Sequence, residues 1–418
     1  MDLTLHTHAE AIISASIRAV LPDQAVKTVL RDTQFPGRVI LVAVGKAAWQ
    51  MAKAAQDCLG SQIDTGIVVT KYGHVMGPLE NIACREAGHP VPDENTFQAT
   101  EETLNLTADL QPTDTVLFLL SGGGSALFEK PLVAGDVLQN ITNQLLGCGA
   151  DIREINTIRK RLSAVKGGRF AQHCAPAQVL SIVLSDILGD PLDMIASGPA
   201  YPDSSTCEQA LAIAEKYQLE LPPQAMALLH QETPRVLTNI TTHITGSVRQ
   251  LCNAAAEACR ELGYEPILLT DQLCCQAREA GSFLASVLKT HADRNKKLAF
   301  LAGGETVVVL TGSGKGGRNQ ELALSAAIGI DGVPGTAVFS VGSDGTDGPT
   351  EAAGGYVDYE TAAALSKLGF DISRVLQNND AYHALQACNG LLVTGPTGSN
   401  VNDVAVALLN PNNPAEPE

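Results

Sequence analysis

Six stretches of the chain place small or charged residues directly after apolar runs of strand length. Lys46 follows VILVAV (39–44) across a single glycine. Ser121-Gly122-Gly123-Gly124-Ser125 follows TVLFLL (115–120), and Ser185-Asp186 follows VLSIVL (179–184). Further along, Gly303-Gly304-Glu305 follows LAFLA, Ser343-Asp344 follows FSVG, and LLVTG runs into a turn holding Asn400. Open α/β sheets bind ligands at the carboxyl ends of their strands, so these six turns form one coherent set of candidates.

The residue types point to anion chemistry. In Ser121–Ser125 the glycines let backbone N–H groups approach an anion, and a following helix adds partial positive charge, which makes the loop a phosphate-cradle candidate; a plain flexible turn is the alternative. It is neither a Walker A loop, lacking Gly-Lys-Ser/Thr, nor a hydrolase elbow, because Gly123-Gly124-Ser125-Ala126-Leu127 has no closing glycine. Residues 312–321, GSGKGGRNQE, match Gly-x-Gly-x-x-Gly at Gly312, Gly314 and Gly317, between a predicted strand VVVL (307–310) and a helix. That pattern alone suggests a dinucleotide. Lys315 and Arg318 inside the turn suit a triphosphate or a transferring phosphoryl group better, with Lys315, Gly316 and Gly317 binding it. Lys46 stands at a helix start, where the helix dipole disfavours a cation, so a functional reason for it is expected: charge on a transferring phosphate.

The segment 153–170 carries Arg153, Arg159, Lys160, Arg161, Lys166 and Arg169 against Glu154 alone. Asn156 and Lys160 are spaced to share one helical face and are nominated as binding residues. Asp186 is the preferred carboxylate for orienting or deprotonating a hydroxyl. Glu305 and Asp344 are candidate magnesium ligands, since that ion needs only one or two carboxylates beside phosphate oxygens. An EF-hand at Asp344 is rejected because Gly355 stands where its closing Glu belongs. Asp190 and Asp347 fit turn capping as well as catalysis.

The elements that must position these residues are also legible. The chain has 418 residues, 45% hydrophobic and 17% charged, enough for two domains with large cores. Its formal charge of −17 argues against nucleic acid and anionic membrane as partners. The same charge requires an enzyme for anionic substrates to gather positive charge locally. No apolar run is long enough to span a bilayer, the start has no leader pattern, and the ten cysteines form no Cys-x-x-Cys pair, so a cytoplasmic protein with reduced thiols is expected. His6-x-His8 is expected in a frayed terminus. Residues 6–30 read as an amphipathic helix interrupted at Pro22. The continuous apolar strands predict a parallel sheet covered on both faces. Proline punctuation in 202–240 sets the expected domains at 1–235 and 236–409, with 410–418 a disordered tail.

Taken in order, the blocks VGKAA (44), GHPVPD (88), LLSGGGSAL (119), EINTIRKRLSAVKGGR (154), SDILGDPLDMIASGP (185), AGGETVV (302), GKGGRNQELAL (314), SDGTDGPTEAAGG (343) and TGPTGSNVNDV (394) resemble the MOFRL-family glycerate kinases. The resemblance runs from about Ala11 to Leu409. It implies an N-terminal Rossmann-like domain, a smaller C-terminal α/β domain and an active site in a cleft between them. It further implies phosphorylation of D-glycerate by ATP with a divalent cation such as Mg2+, usually to 2-phosphoglycerate, and is compatible with a homodimer. Carried onto this sequence, Lys46 and Arg318 act on the phosphoryl group, while Asp186, Glu305, Asp344 and Asn400 bind substrate or metal. The competing reading is an NAD(P)H-dependent hydroxypyruvate reductase, a label family members have carried. It rests on Gly312–Gly317 and leaves Lys315, Arg318 and the carboxylates unexplained. A binding protein without turnover is the third reading.

Overall fold

The computed structural model describes residues 1–411. Contacts divide the chain into two units, one of Pro22–Thr245 and one joining Met1–Leu21 to the residues from Gly246 onward.

The first unit is built on a six-stranded sheet: β1 (Val39–Val44), β2 (Ile63–Lys71), β3 (Ile82–Ala87), β4 (Thr115–Leu120), β5 (Gln178–Leu184) and β6 (Ile240–Gly246). The order is β3-β2-β1-β4-β5-β6, with β1 to β5 parallel. This is the doubly wound Rossmann order, whose direction of winding reverses between β1 and β4. Side chains alternate across a strand, so both faces of a covered sheet must be apolar. Ile40, Val42 and Val44 pack with Phe118, Phe128 and Phe170 on one face. Val39, Leu41 and Ala43 pack on the other with Leu117, Leu119 and Met51, the last from the helix Ala48–Leu59. The uninterrupted apolar runs in the sequence have this cause.

The second unit holds β7 (Glu265–Leu273), β8 (Leu298–Gly304), β9 (Thr336–Gly342), β10 (Gly354–Asp358), β11 (Leu391–Leu392) and β12 (Asp403–Leu409), ordered β11-β10-β9-β12-β8-β7. This sheet is mixed. β7 and β8 are parallel, whereas β12 runs antiparallel between β8 and β9. The helices Ala277–His291 and Arg318–Ile330 share one core with β8, β9 and β12.

Several expectations are corrected. The interruption at Pro22 is as expected, dividing the helices Leu3–Ala19 and Pro22–Leu30, but the first belongs with the C-terminal unit and not the N-terminal one. It is not frayed: Asp2 caps it, it packs on the helix Val248–Glu261, and His8 Nδ1 lies 2.8 Å from the Tyr264 hydroxyl. The division after Thr245, rather than at 235, follows from β6, which joins the first sheet through β5. VVVL is not a strand beyond one bridge from Val307 to Gln276, and Leu310 is 80% exposed. LLVTG contributes only Leu391–Leu392 to a strand. Asn410, placed in the expected tail, is buried and donates its amide to Gly335; 412–418 lie outside the described residues.

The basic segment holds the first unit together from inside. Lys160, Arg161 and Lys166 are all buried on the helix Ile152–Arg161 and the turn after it. Lys160 Nζ meets Asp203 at 3.0 Å and Asp193 at 3.5 Å. Asp203 also accepts from Ser205 and Thr233 and lies near Arg161. Lys166 Nζ donates to the carbonyls of Ser125 and Phe128, at 2.9 and 2.8 Å, and Arg159 Nη2 reaches the same Ser125 carbonyl at 3.1 Å. Burial pushes the Lys166 ammonium down to about 8, against the pull of Glu129 beside it. Removing one partner of such a buried pair leaves an uncompensated charge. Asp203→Asn should therefore cost about 3–5 kcal/mol in chemical denaturation, whereas a loss under about 1 kcal/mol would show the pair to be expendable.

Candidate functional site

The reversal between β1 and β4 brings their two following loops against each other. Gly45 has φ +123°, and a Cβ there would sit 2.3 Å from Ser121 Oγ, so a larger residue is excluded twice over. The Lys46 amide donates to the Gly122 carbonyl at 2.9 Å and the Ala47 amide to Ser121 Oγ at 3.1 Å. A Cβ on Gly122 would sit 2.4 Å from Asp186 Oδ2; one on Gly123 would sit 3.0 Å from His89 Nε2 and 3.3 Å from Lys46 Cε. Lys46, Gly122, Gly123 and Asp186 are thus brought together as expected, and His89 joins them. Lys46 is half-buried and has no ion-pair partner among the described residues. The amides of Gly122, Gly123, Gly124 and Ser125 likewise make no hydrogen bond to another described residue.

The back of this loop is fixed. Ser125 Oγ lies 3.1 Å from Ser197 Oγ, which donates to Asn156 Oδ1 at 2.9 Å. Ala196 and Ser197 both have positive φ, 50° and 61°, in a turn whose Ala196 methyl abuts Gly124. Two such residues in succession are strained, and strain of this kind collects at functional sites. Asn156 and Lys160 are buried and support the loop and its surroundings from within, and Lys160 also lines a cavity of about 590 Å³ with Asp193 and Met194.

In the second unit Arg318 opens a helix. Its Nε and Nη2 make a two-pronged contact with Asp403 at 2.6 and 3.0 Å, and Nη1 meets Glu305 at 2.8 Å. Burial works against the guanidinium charge, but the two carboxylates outweigh it and raise its pKa. Asp403 begins β12, opposite Gly304 on one side and Gly342 on the other, so the loops carrying Glu305 and Asp344 both start beside it. Asp347 is buried, and its carboxylate accepts from the Asn319 and Gln320 amides at 3.1 and 2.9 Å, capping the helix that carries Arg318. Burial raises Asp347 to about 6.

The dinucleotide reading of Gly312–Gly317 is overturned here. Those glycines admit protein: Gly312 and Gly314 lie against Asn378 and Asp380, and Gly317 against the Asp347 carboxylate. The amides of residues 311–315 are taken by Asn378, Asn379 and Asp380. Only Gly316, Gly317 and Arg318 keep amides without an acceptor among the described residues. They line a cavity of about 690 Å³ together with Val308, Leu310 and Asp344. Lys315 is turned elsewhere, with Nζ 3.3 Å from Glu351 and 3.9 Å from the Tyr382 ring centre. Asn400 sits in the loop whose Thr397 and Val401 bond the Ser343–Asp344 turn.

Among the described residues no group of three or more His, Cys, Asp and Glu converges on a metal position. Glu305 is engaged by Arg318 and Asp344 Oδ1 by the Thr346 amide at 2.9 Å. This donor set fits a magnesium ion delivered on a phosphate, which asks one or two carboxylate oxygens of the protein, and not a protein-built cage. The residues missed by sequence reasoning are His89 and Asp403, both inside quoted blocks but without a spacing that signals a role; Asp347 takes the capping role that its sequence allowed, at a helix rather than a turn.

A Rossmann-ordered sheet with an unpaired lysine and open amides at its switch point, in a chain whose second unit carries an arginine-headed helix, defines a protein that handles phosphorylated or carboxylated small molecules. Residues 8–230 match the Domain of unknown function DUF4147 and residues 298–403 the MOFRL family. The chain is 53% identical, over 95% of its own length and 97% of the relative, to the D-glycerate 2-kinase of Thermotoga maritima. It is 38% identical, over 89% and 100%, to an Agrobacterium vitis protein described as a hydroxypyruvate reductase. A crystal structure of glycerate kinase from Thermotoga maritima superposes with a TM-score of 0.93 at 52% identity, covering 98% of this chain and 100% of that one. The chain belongs to the MOFRL glycerate kinase family.

The raised pKa of Asp347 has a stability consequence with a definite sign. Its folded value near 6 exceeds the unfolded value near 4, so its contribution is complete below about pH 4 and is lost as pH rises to about 6. The unfolding free energy of the wild type relative to Asp347→Asn should fall by up to about 3 kcal/mol across that window and stay level above it. A difference that is flat or rises with pH would contradict the assignment.

Proposed function

We propose that the chain transfers the γ-phosphoryl group of ATP to a hydroxyl of D-glycerate, giving 2-phosphoglycerate. Its nearly full-length likeness to a protein named D-glycerate 2-kinase supports the substrate pair. The observation that carries the chemistry is the unpaired Lys46 ammonium beside four uncommitted amides, Gly122 to Ser125. The reaction brings together two anions, and the chain has two amide-rich turns with a cation at each. Phosphoryl transfer asks little covalent chemistry of a protein; positioning and charge stabilisation do most of the work. Lys46 and Arg318, each a cation at its own turn, are suited to offset charge on phosphate oxygens, the role that the family resemblance gives them. Asp403 holds the Arg318 guanidinium in one orientation and leaves Nη1 toward Glu305. Asp186 orients the attacking hydroxyl, and Asn400 stands beside the Asp344 turn to hold the substrate.

Magnesium, when bound with ATP, neutralises phosphate charge, and Asp344 with Glu305 would hold it. The apolar wall at Val308 and Leu310 suits a nucleotide base better than a bare acid. A hydride-transfer reading has lost its motif, because the glycines at 312–317 face protein and most of the turn's amides are occupied. Ten cysteines, all free, support a reducing cytoplasmic setting; no helix among the described residues is long and apolar enough to cross a membrane.

The test is a coupled ADP assay with D-glycerate and ATP–magnesium. The wild type should turn over, and Arg318→Ala should lose on the order of 10³-fold in kcat with a modest change in the KM for glycerate. Near-normal turnover in that variant would remove Arg318 from the chemistry. Oxidation of NADH with hydroxypyruvate and no ADP formation would overturn the kinase reading itself.

A further inference from the structure

The residue at this cluster that the phosphoryl-transfer account leaves unused is His89. It directly follows β3 and Gly88, at the same sheet edge as Lys46, Gly122–Ser125 and Asp186. Its backbone is held from behind: the Gly88 amide donates to Asp93 Oδ1 at 3.0 Å, and that oxygen also caps the helix Glu94–Leu106. The ring therefore has a fixed root. Its Nε2 edge faces Gly123 on the side where the Lys46 chain passes, so imidazole and ammonium arm meet over one Cα. Among the described residues the ring makes no hydrogen bond.

The neighbouring His74 makes the contrast. Its Nδ1 is 3.0 Å from the Lys46 carbonyl, and its amide donates to Glu86, so it is committed to holding the loop. The groups facing His89 are Lys46 from the β1 end, Lys71 from β2 and His74 from the loop after it; Asp186 lies beyond Gly122. Burial first, and then Lys46, Lys71 and His74, lower the His89 pKa from the ordinary value of histidine, which favours the neutral, proton-accepting ring. A carboxylate with an ordinary pKa near 4 is a weaker match to a hydroxyl proton at that pH than an imidazole is.

From this placement, and resting on the kinase reading above, we infer that His89 is a further catalytic residue, accepting the proton of the glycerate hydroxyl at Nε2. As the hydroxyl oxygen forms its bond to the γ-phosphorus, its O–H bond breaks and the proton passes to the imidazole. The bond from phosphorus to the bridging oxygen breaks with its electron pair, which leaves on ADP. The imidazolium then returns its proton to solvent. Asp186 keeps the orienting role, and Lys46, next to the imidazole, disfavours a protonated ring before substrate arrives.

The experiment is the pH dependence of kcat/KM for glycerate in the wild type, His89→Asn and His89→Ala, with folding checked by circular dichroism and ADP binding by calorimetry. The wild type should lose activity as pH falls through a value below the ordinary 6.5 of histidine. His89→Asn should lower the plateau by about 10²–10⁴-fold, abolish that acid limb and leave ADP affinity unchanged. His89→Ala should regain activity on adding imidazole, and His89→Asn decides the matter alone if the alanine variant does not fold. An Asn variant keeping the acid limb at the wild-type position, or staying within a few-fold of wild-type activity, would overturn the assignment while leaving the kinase intact. A wild type that forms no phosphoglycerate overturns both.

Discussion

Gly45 and Ser121 interlock where the sheet reverses its winding, and the rest of the first unit's polar apparatus is hung on that contact. The Lys46 amide is tied to the Gly122 carbonyl and the Ala47 amide to Ser121 Oγ. The lysine side chain, the open amides of the glycine loop, the Asp186 carboxylate and the His89 ring are then fixed relative to one another through contacts too close for any Cβ at Gly45 or Gly122. From behind, Arg159 and Lys166 grip the Ser125 carbonyl, and Phe128 is wedged among Phe118 and Phe170 with ring centres 6.0 and 5.1 Å away. A rigid cradle costs less entropy on binding than a flexible glycine loop would.

Charge is distributed with a corresponding economy. In a chain of net −17, many cations have a fixed structural partner: in the first unit Lys160 and Arg161 at Asp203 and Lys166 at Glu129, in the second Lys315 at Glu351. Arg318 is clamped by Asp403, which favours one orientation of its planar fork over a mobile positive charge. Lys46, like Lys71, stands in no ion pair among the described residues, with the Asp186 carboxylate lying across Gly122. An uncompensated cation is poised to bind an anion, because no ion pair has to be broken first.

Much of this was legible in the sequence. Continuous apolar runs gave the first sheet correctly, because burial on both faces leaves no other pattern; of the strand-end candidates, Lys46, Gly122–Ser125 and Asp186 lie together in the fold, and Arg318, nominated from its Gly-rich turn, opens a helix. What the sequence does not show has physical reasons. Charge and spacing nominate Asn156, Lys160 and Lys315, and spacing does not reveal that Ser197, Asp203 or Glu351 waits as a partner across a long stretch of chain. VVVL has the composition of a strand, yet lies exposed along a cavity wall. Gly312, Gly314 and Gly317 mimic a nucleotide fingerprint because close approach of any backbone, a ligand's or the protein's own, demands glycine. His89 and Asp403 carry no local signature at all; only the fold brings one over Gly123 and the other under Arg318.

The central claim is that the unpaired Lys46 ammonium stabilises the transferring phosphoryl group. Single-turnover kinetics of Lys46→Met, a substitution that keeps the unbranched side chain up to the position of Cε and removes the ammonium, test it most directly. The account predicts a fall in the phosphoryl-transfer rate of at least about 10²-fold, with glycerate binding near that of the wild type. A variant that transfers phosphoryl at the wild-type rate would contradict it.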